Sequence, residues 1–95
     1  MKDPRDVIIR PVVSEKSYAQ IEHNKYTFEV AKDARKEEIG QAIEEIFKVH
    51  VTSVNTITMR GRRKRQGWTS GRTRDWKKAI VTLREGDRIE VFEAR

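Results

Sequence analysis

An α+β fold is predicted for this chain of 95 residues, with helices packed on a small antiparallel β-sheet and a long basic β-hairpin loop. Three features predict it. One segment carries apolar residues at helical spacing, several short runs alternate or are rich in β-branched residues, and a glycine-bearing cationic stretch separates two of those runs.

The first helix runs from Ser14 to Ile21, after Pro11. Ser14 is its candidate N-cap, and Glu15 puts a negative charge in the first turn, where the helix dipole favours one. His23-Asn24-Lys25 breaks this helix. Tyr26-Thr27-Phe28-Glu29-Val30 then alternates at period two, so Tyr26, Phe28 and Val30 are expected to face inward. In the second helix, Ile39, Ala42, Ile43, Ile46 and Phe47 fall on one stripe, while Glu37, Glu38, Gln41, Glu44 and Glu45 cover the other face. The run from Val49 to Met59 is β-branched nearly throughout, and its broken alternation around Thr52-Ser53 predicts a bulge or a late start. Gly61 opens the loop. Beyond the loop, Lys77 to Leu83 returns as a strand with Ala79, Val81 and Leu83 on one face, Glu85-Gly86-Asp87 turns it, and Arg88 to Phe92 is expected to add an edge segment. Two strands flanking a polar loop form, most simply, an antiparallel hairpin.

Residues 1–95 make a single domain with one thin core, since a chain this short buries only about 60–65% of its unfolded surface. Without cysteine there is neither a disulfide framework nor a thiolate metal site. No apolar run approaches the ~20 residues of a membrane span, and the start, Met1 to Asp6, does not read as a signal peptide. A soluble intracellular protein with no membrane insertion is the expectation.

The net charge of +6 is unevenly placed. Between positions 60 and 78, Arg60, Arg62, Arg63, Lys64, Arg65, Arg72, Arg74, Lys77 and Lys78 stand against the single acid Asp75, so this segment carries +8 and the rest of the chain −2. Both tryptophans, Trp68 and Trp76, fall within it. Guanidinium forks pair with phosphates and indoles stack on bases, so these eleven residues are the candidate RNA-binding set. Gly61, Gly67 and Gly71 argue against a packed helix or interior strand there, and the segment is expected to be an extended basic loop, mobile without RNA.

Catalysis has little to work with. His23 and His50 are the only histidines and neither has a spaced partner; Glu44-Glu45 are adjacent on a polar helix face; no nucleotide-binding glycine motif is present. The chain reads as a non-enzyme with no cofactor and no metal.

From Arg10-Pro11-Val12-Val13-Ser14-Glu15-Lys16-Ser17 through Lys25-Tyr26-Thr27-Phe28-Glu29-Val30, Ile43 to Val49 and Ser53-Val54-Asn55-Thr56 to Gly61-Arg62-Arg63-Lys64-Arg65 and Lys77 to Leu83, the sequence resembles the bacterial large-subunit ribosomal protein twenty-three family, found at the rim of the peptide exit tunnel. The motifs are individually weak, but their order and spacing are specific. The resemblance implies an α+β protein, cytoplasmic and ribosome-bound, whose basic loop enters ribosomal RNA toward the tunnel wall beside neighbouring ribosomal proteins. It also implies that Val13, Ser14, Glu15 and Lys16 form a corner where trigger factor and signal recognition particle dock, with Glu15 as the docking acid. Residues alone would leave Glu15 as a complement to the helix dipole. Two departures stand out: Arg35-Lys36-Glu37-Glu38-Ile39 lacks the asparagine cap of many relatives, so Asp33 is expected to substitute, and the stacking role of Trp68 comes from composition and not from the family motif.

Two other readings remain beside a structural ribosomal role. A different RNA- or DNA-binding architectural protein is disfavoured for DNA because the cations lie on a glycine-bearing loop and not along a recognition helix. An interfacial membrane anchor would usually carry an amphipathic basic helix, which the sequence lacks.

Overall fold

The computed structural model describes residues 3–61, 63–66, 69–72 and 74–90, with only the backbone of 63–66 and 69–72. In chain order the elements are α1 (Pro4–Val7), β1 (Ile8–Pro11), α2 (Glu15–Gln20), a 3-10 turn (Ile21–His23), β2 (Lys25–Val30), α3 (Lys36–Phe47), β3 (Val51–Met59), β4 (Arg63–Gln66), β5 (Thr69–Arg72) and β6 (Trp76–Leu83). A four-stranded sheet has the order β1-β2-β6-β3, and all its pairings are antiparallel. β4 and β5 pair with each other as a separate two-stranded ladder.

The expected α+β class is what the chain adopts, with helices on a small antiparallel sheet. Ser14 caps α2 reciprocally with Ser17: the Ser17 amide donates to Ser14 Oγ at 3.2 Å and the Ser14 amide to Ser17 Oγ at 2.8 Å. Asn24 in the left-handed region (φ 60°) ends the 3-10 turn and starts β2. The bulge falls where expected, between Val51 and Ser53 against Leu83 and Thr82. β3 and β6 then stay in register from Val54↔Val81 to Met59↔Trp76.

The core lies between the sheet and α3. Tyr26, Phe28 and Val30 of β2, Ala79, Val81 and Leu83 of β6, and Ile39, Ala42 and Ile43 of α3 are all buried, joined by Val7, Ala34 and Ile89. Phe28 meets Phe47 with ring centroids 5.7 Å apart. A fully buried side chain such as Ile43 contributes roughly 1.5–3 kcal/mol relative to exposure. On the other sheet face, α2 lies over β2, where Thr27 Oγ1 donates to Gln20 Oε1 at 3.2 Å. The β3–β6 half of that face carries the exposed Ser53, Asn55 and Ile57.

Several expectations are corrected. Arg35, not Asp33, is the N-cap of α3, and Glu38 reaches back to accept its amide at 2.9 Å. Arginine offers no acceptor, so the carboxylate supplies the cap from the helix side. Ile46 is 38% exposed although it falls on the apolar stripe, while its neighbour Phe47 still packs against the core. Thr27 and Glu29 are buried although they face away from Tyr26, Phe28 and Val30: Thr27 lies beside Gln20 of α2, and Glu29 lies beneath the side chains of Arg10 and Arg74. Residues 88–89 form no strand; Ile89 folds back into the core, and Val91 and Phe92 lie outside the described residues. α1 and β1 have no counterpart in the sequence reading: Asp3 accepts the Arg5 amide as N-cap with Pro4 at the first helical position, and β1 adds an edge strand to β2.

Candidate nucleic-acid interface

Where the four-stranded sheet ends at Met59↔Trp76, the basic segment departs from it. Its neck is closed by its own single acid, since Asp75 Oδ1 accepts the Gly61 amide. Asp75 thus joins the outgoing and returning limbs. Beyond the neck, the β4–β5 register places Arg63 opposite Arg72, Lys64 opposite Gly71 and Arg65 opposite Ser70. Arg62 and Trp68 lie outside the described residues, and Arg60 is exposed beside the neck.

The candidates that follow are sorted by the pleat of β6. Successive strand residues face opposite ways, so Trp76 and Lys78 share a face with Ile80, whereas Lys77 shares the face of the buried Ala79 and Val81. There the Lys77 ammonium donates to the Ala34 carbonyl at 2.7 Å. Arg74 turns to the other face and holds Glu29, with Nη1 2.7 Å from Oε2.

Glu29 is the centre of that face. Its side chain is 1% exposed, and Arg10 Nε donates to Oε1 at 2.8 Å. The Arg74 contact is a short ion pair off the hydrogen-bond axis, so Oε2 has no aligned donor among the described residues. Arg74 beside it is the largest influence holding the Glu29 carboxyl below its ordinary value; burial opposes the shift and Arg10 adds to it. Glu29 in turn raises the Arg74 guanidinium. Register aligns Arg10, Glu29, Lys78 and Ile57 in one row across β1, β2, β6 and β3. Sequence reasoning missed Arg10, which lies outside the basic segment, and Glu29, whose alternating position marked it as outward.

At the far corner, Val13 is 48% exposed, and Ser14, Glu15 and Lys16 are exposed at the start of α2. Ile9 of β1 and Tyr18 of α2 are also exposed apolar side chains. Among the described residues there is no cluster of three His, Asp or Glu able to hold a metal ion, and no helix is long and apolar enough to cross a membrane.

The profile of the family described as "Ribosomal protein L23" matches residues 6–91. The chain is 56% identical over 93 residues to the large ribosomal subunit protein uL23 of Pelotomaculum thermopropionicum, covering 98% of both chains. It is 58% identical over 92 residues to the protein of that name from Desulfitobacterium hafniense strain DCB-2, covering 97% of each. With the Symbiobacterium thermophilum protein of that name the identity is 55% over 91 residues, covering 96% of this chain and 97% of the relative.

Proposed function

The chain belongs to the ribosomal protein L23 family, a family of structural and not enzymatic proteins, and on that premise we propose that it binds ribosomal RNA of the large subunit near the peptide exit tunnel through its basic segment. It works in the cytoplasm, bound to the ribosome among neighbouring ribosomal proteins. The contacts fall to Arg60, Arg62, Arg63, Lys64, Arg65, Arg72, Arg74 and Lys78, with Trp68 and Trp76 stacking on bases, while Lys77, expected among them from the sequence, is committed to the Ala34 carbonyl.

The observation that carries this reading is the separation of charge, +8 over positions 60–78 against −2 elsewhere. A register that sets Arg63 opposite Arg72 adds to it, because like charges directly across a ladder are unfavourable until an anion joins them. An architectural DNA-binding role is less well supported, as the outer face of α3 is acidic, with Glu37, Glu38, Glu44 and Glu45. Replacing Arg62, Arg63, Lys64 and Arg65 with Ala is expected to weaken binding to ribosomal RNA. It should also flatten the dependence of log K on log salt by about three units, at roughly 0.7–0.9 per lost phosphate contact. An unchanged slope would overturn the reading.

The corner Val13, Ser14, Glu15 and Lys16 serves as part of the docking site for trigger factor and signal recognition particle. Its exposure and the reciprocal Ser14–Ser17 cap that fixes it support this role. Glu15→Gln keeps size and helix propensity, so ribosomes carrying it should assemble normally and bind trigger factor more weakly by roughly 1–3 kcal/mol. Unchanged affinity would leave Glu15 as a complement to the helix dipole.

A further inference from the structure

We infer that Arg10, Arg74 and Lys78 form a second phosphate-contact site on the open face of the sheet, organised by the buried carboxylate of Glu29. The inference rests on the RNA-binding reading above and extends it to a residue far from the basic segment in sequence. A buried carboxylate requires a cationic partner, and one guanidinium would neutralise it. Glu29 has two, Arg10 at 2.8 Å and Arg74 at 2.7 Å, and Lys78 stands directly opposite it in the β2–β6 register. Three cations around one acid leave an excess of two.

Their presentation suits an external anion. Both arginine side chains remain largely exposed, 68% for Arg10 and 64% for Arg74, although each commits a nitrogen to Glu29. A guanidinium has five N–H donors in a rigid fork, so anchoring through one nitrogen fixes the fork while the solvent side stays available. The ordering entropy of two long side chains is thereby met during folding and not on binding. Arg74 lies between β5 and the neck residue Asp75, which sets this row next to the base of the basic segment, with Trp76 on the same face as Lys78. Planar forks beside an indole match a phosphodiester backbone with bases attached.

The test uses the full-length protein and deproteinised large-subunit ribosomal RNA, titrated over a range of salt. Arg10→Gln is expected to lower the log K against log salt slope by roughly 0.7–0.9, one phosphate contact. Lys36→Gln, which removes the same charge from α3 on the other face, should leave the slope unchanged. Thermal unfolding reports whether Arg10→Gln has folded. In the wild-type protein, bound RNA should shield Arg10 from modification by phenylglyoxal, whatever the stability of the variant. If the quadruple loop variant flattens the slope but Arg10→Gln behaves like Lys36→Gln, or if Arg10 reacts equally with and without RNA, the clasp is only a structural brace and this inference falls. Equal shielding by polyglutamate would overturn the assignment to phosphate. Failure of the quadruple variant to change the slope would instead remove the parent reading.

Discussion

Gly40 sits inside α3, where glycine costs about 0.8–1.0 kcal/mol relative to alanine through the backbone freedom it gives up. The surroundings do not require it. A Cβ at this position would lie 3.6 Å from Val54 Cγ2 and 3.8 Å from Val51 Cγ1, ordinary contact distances that imply no overpacking. Gly40→Ala therefore recovers the helix term and adds a half-buried methyl, worth a few tenths up to about 0.8 kcal/mol. The net stabilisation is about 1–1.8 kcal/mol, which for a domain of this size raises Tm by roughly 4–14 °C. In urea titrations followed by circular dichroism, the midpoint should rise by roughly 0.5–1 M with the slope m unchanged. A lower or unmoved midpoint would show that α3 needs glycine here for a reason other than space, and the accounting from contacts would be wrong.

Stability should also fall in acid, because Glu29 and Asp87 both have carboxyls lowered in the folded state. Glu29 is lowered by Arg74 first and Asp87 by the His50 amide, which it accepts at 2.7 Å. A depressed folded pKa contributes stability that is complete above the unfolded value, about 3.9–4.3, and is lost as pH falls through the folded one. Urea midpoints between pH 7 and 3 should show this acid limb, and it should be shallower in Glu29→Gln; identical limbs would refute the assignment. A further pair of variants separates the faces of β6. Lys77→Gln should lose about 1.5–3 kcal/mol of stability, the range for a charged hydrogen bond, while leaving the salt slope of RNA binding intact. Lys78→Gln should lower the slope with little effect on the melt, and the reverse pattern would show that the faces have been assigned wrongly.

The legible parts of this fold are those whose cause is local. Ile39, Ala42 and Ile43 are buried as their spacing requires, and Ser14 caps α2 because an N-cap needs only a hydroxyl and a free amide nearby. Ile46 obeys the same spacing and is nonetheless exposed, a difference that the period alone does not show. Glu29 was unreadable because its burial is set by two arginines distant in sequence. Lys77 was readable in principle, since the parity that puts Ala79, Val81 and Leu83 inward puts Lys77 on the same face; the density of charge around it obscured that. Asp3-Pro4 likewise carried a helix-start signal, but four residues of helix are too few to show a period.

The position of β6 decides how the molecule must fold. The sixth strand in chain order lies between β2 and β3, so neither earlier strand can complete its pairing until the basic segment has been passed and Trp76–Leu83 arrives. Long intervening chain makes such pairing slow, on the order of milliseconds to seconds where non-local strand contacts dominate. Until then the cations of the basic segment hang between two unfinished halves of a sheet, held by neither Glu29 nor Asp75. On the RNA-binding reading proposed above, an RNA would meet the segment while β6 is still unplaced, so that binding and completion of the sheet would be coupled.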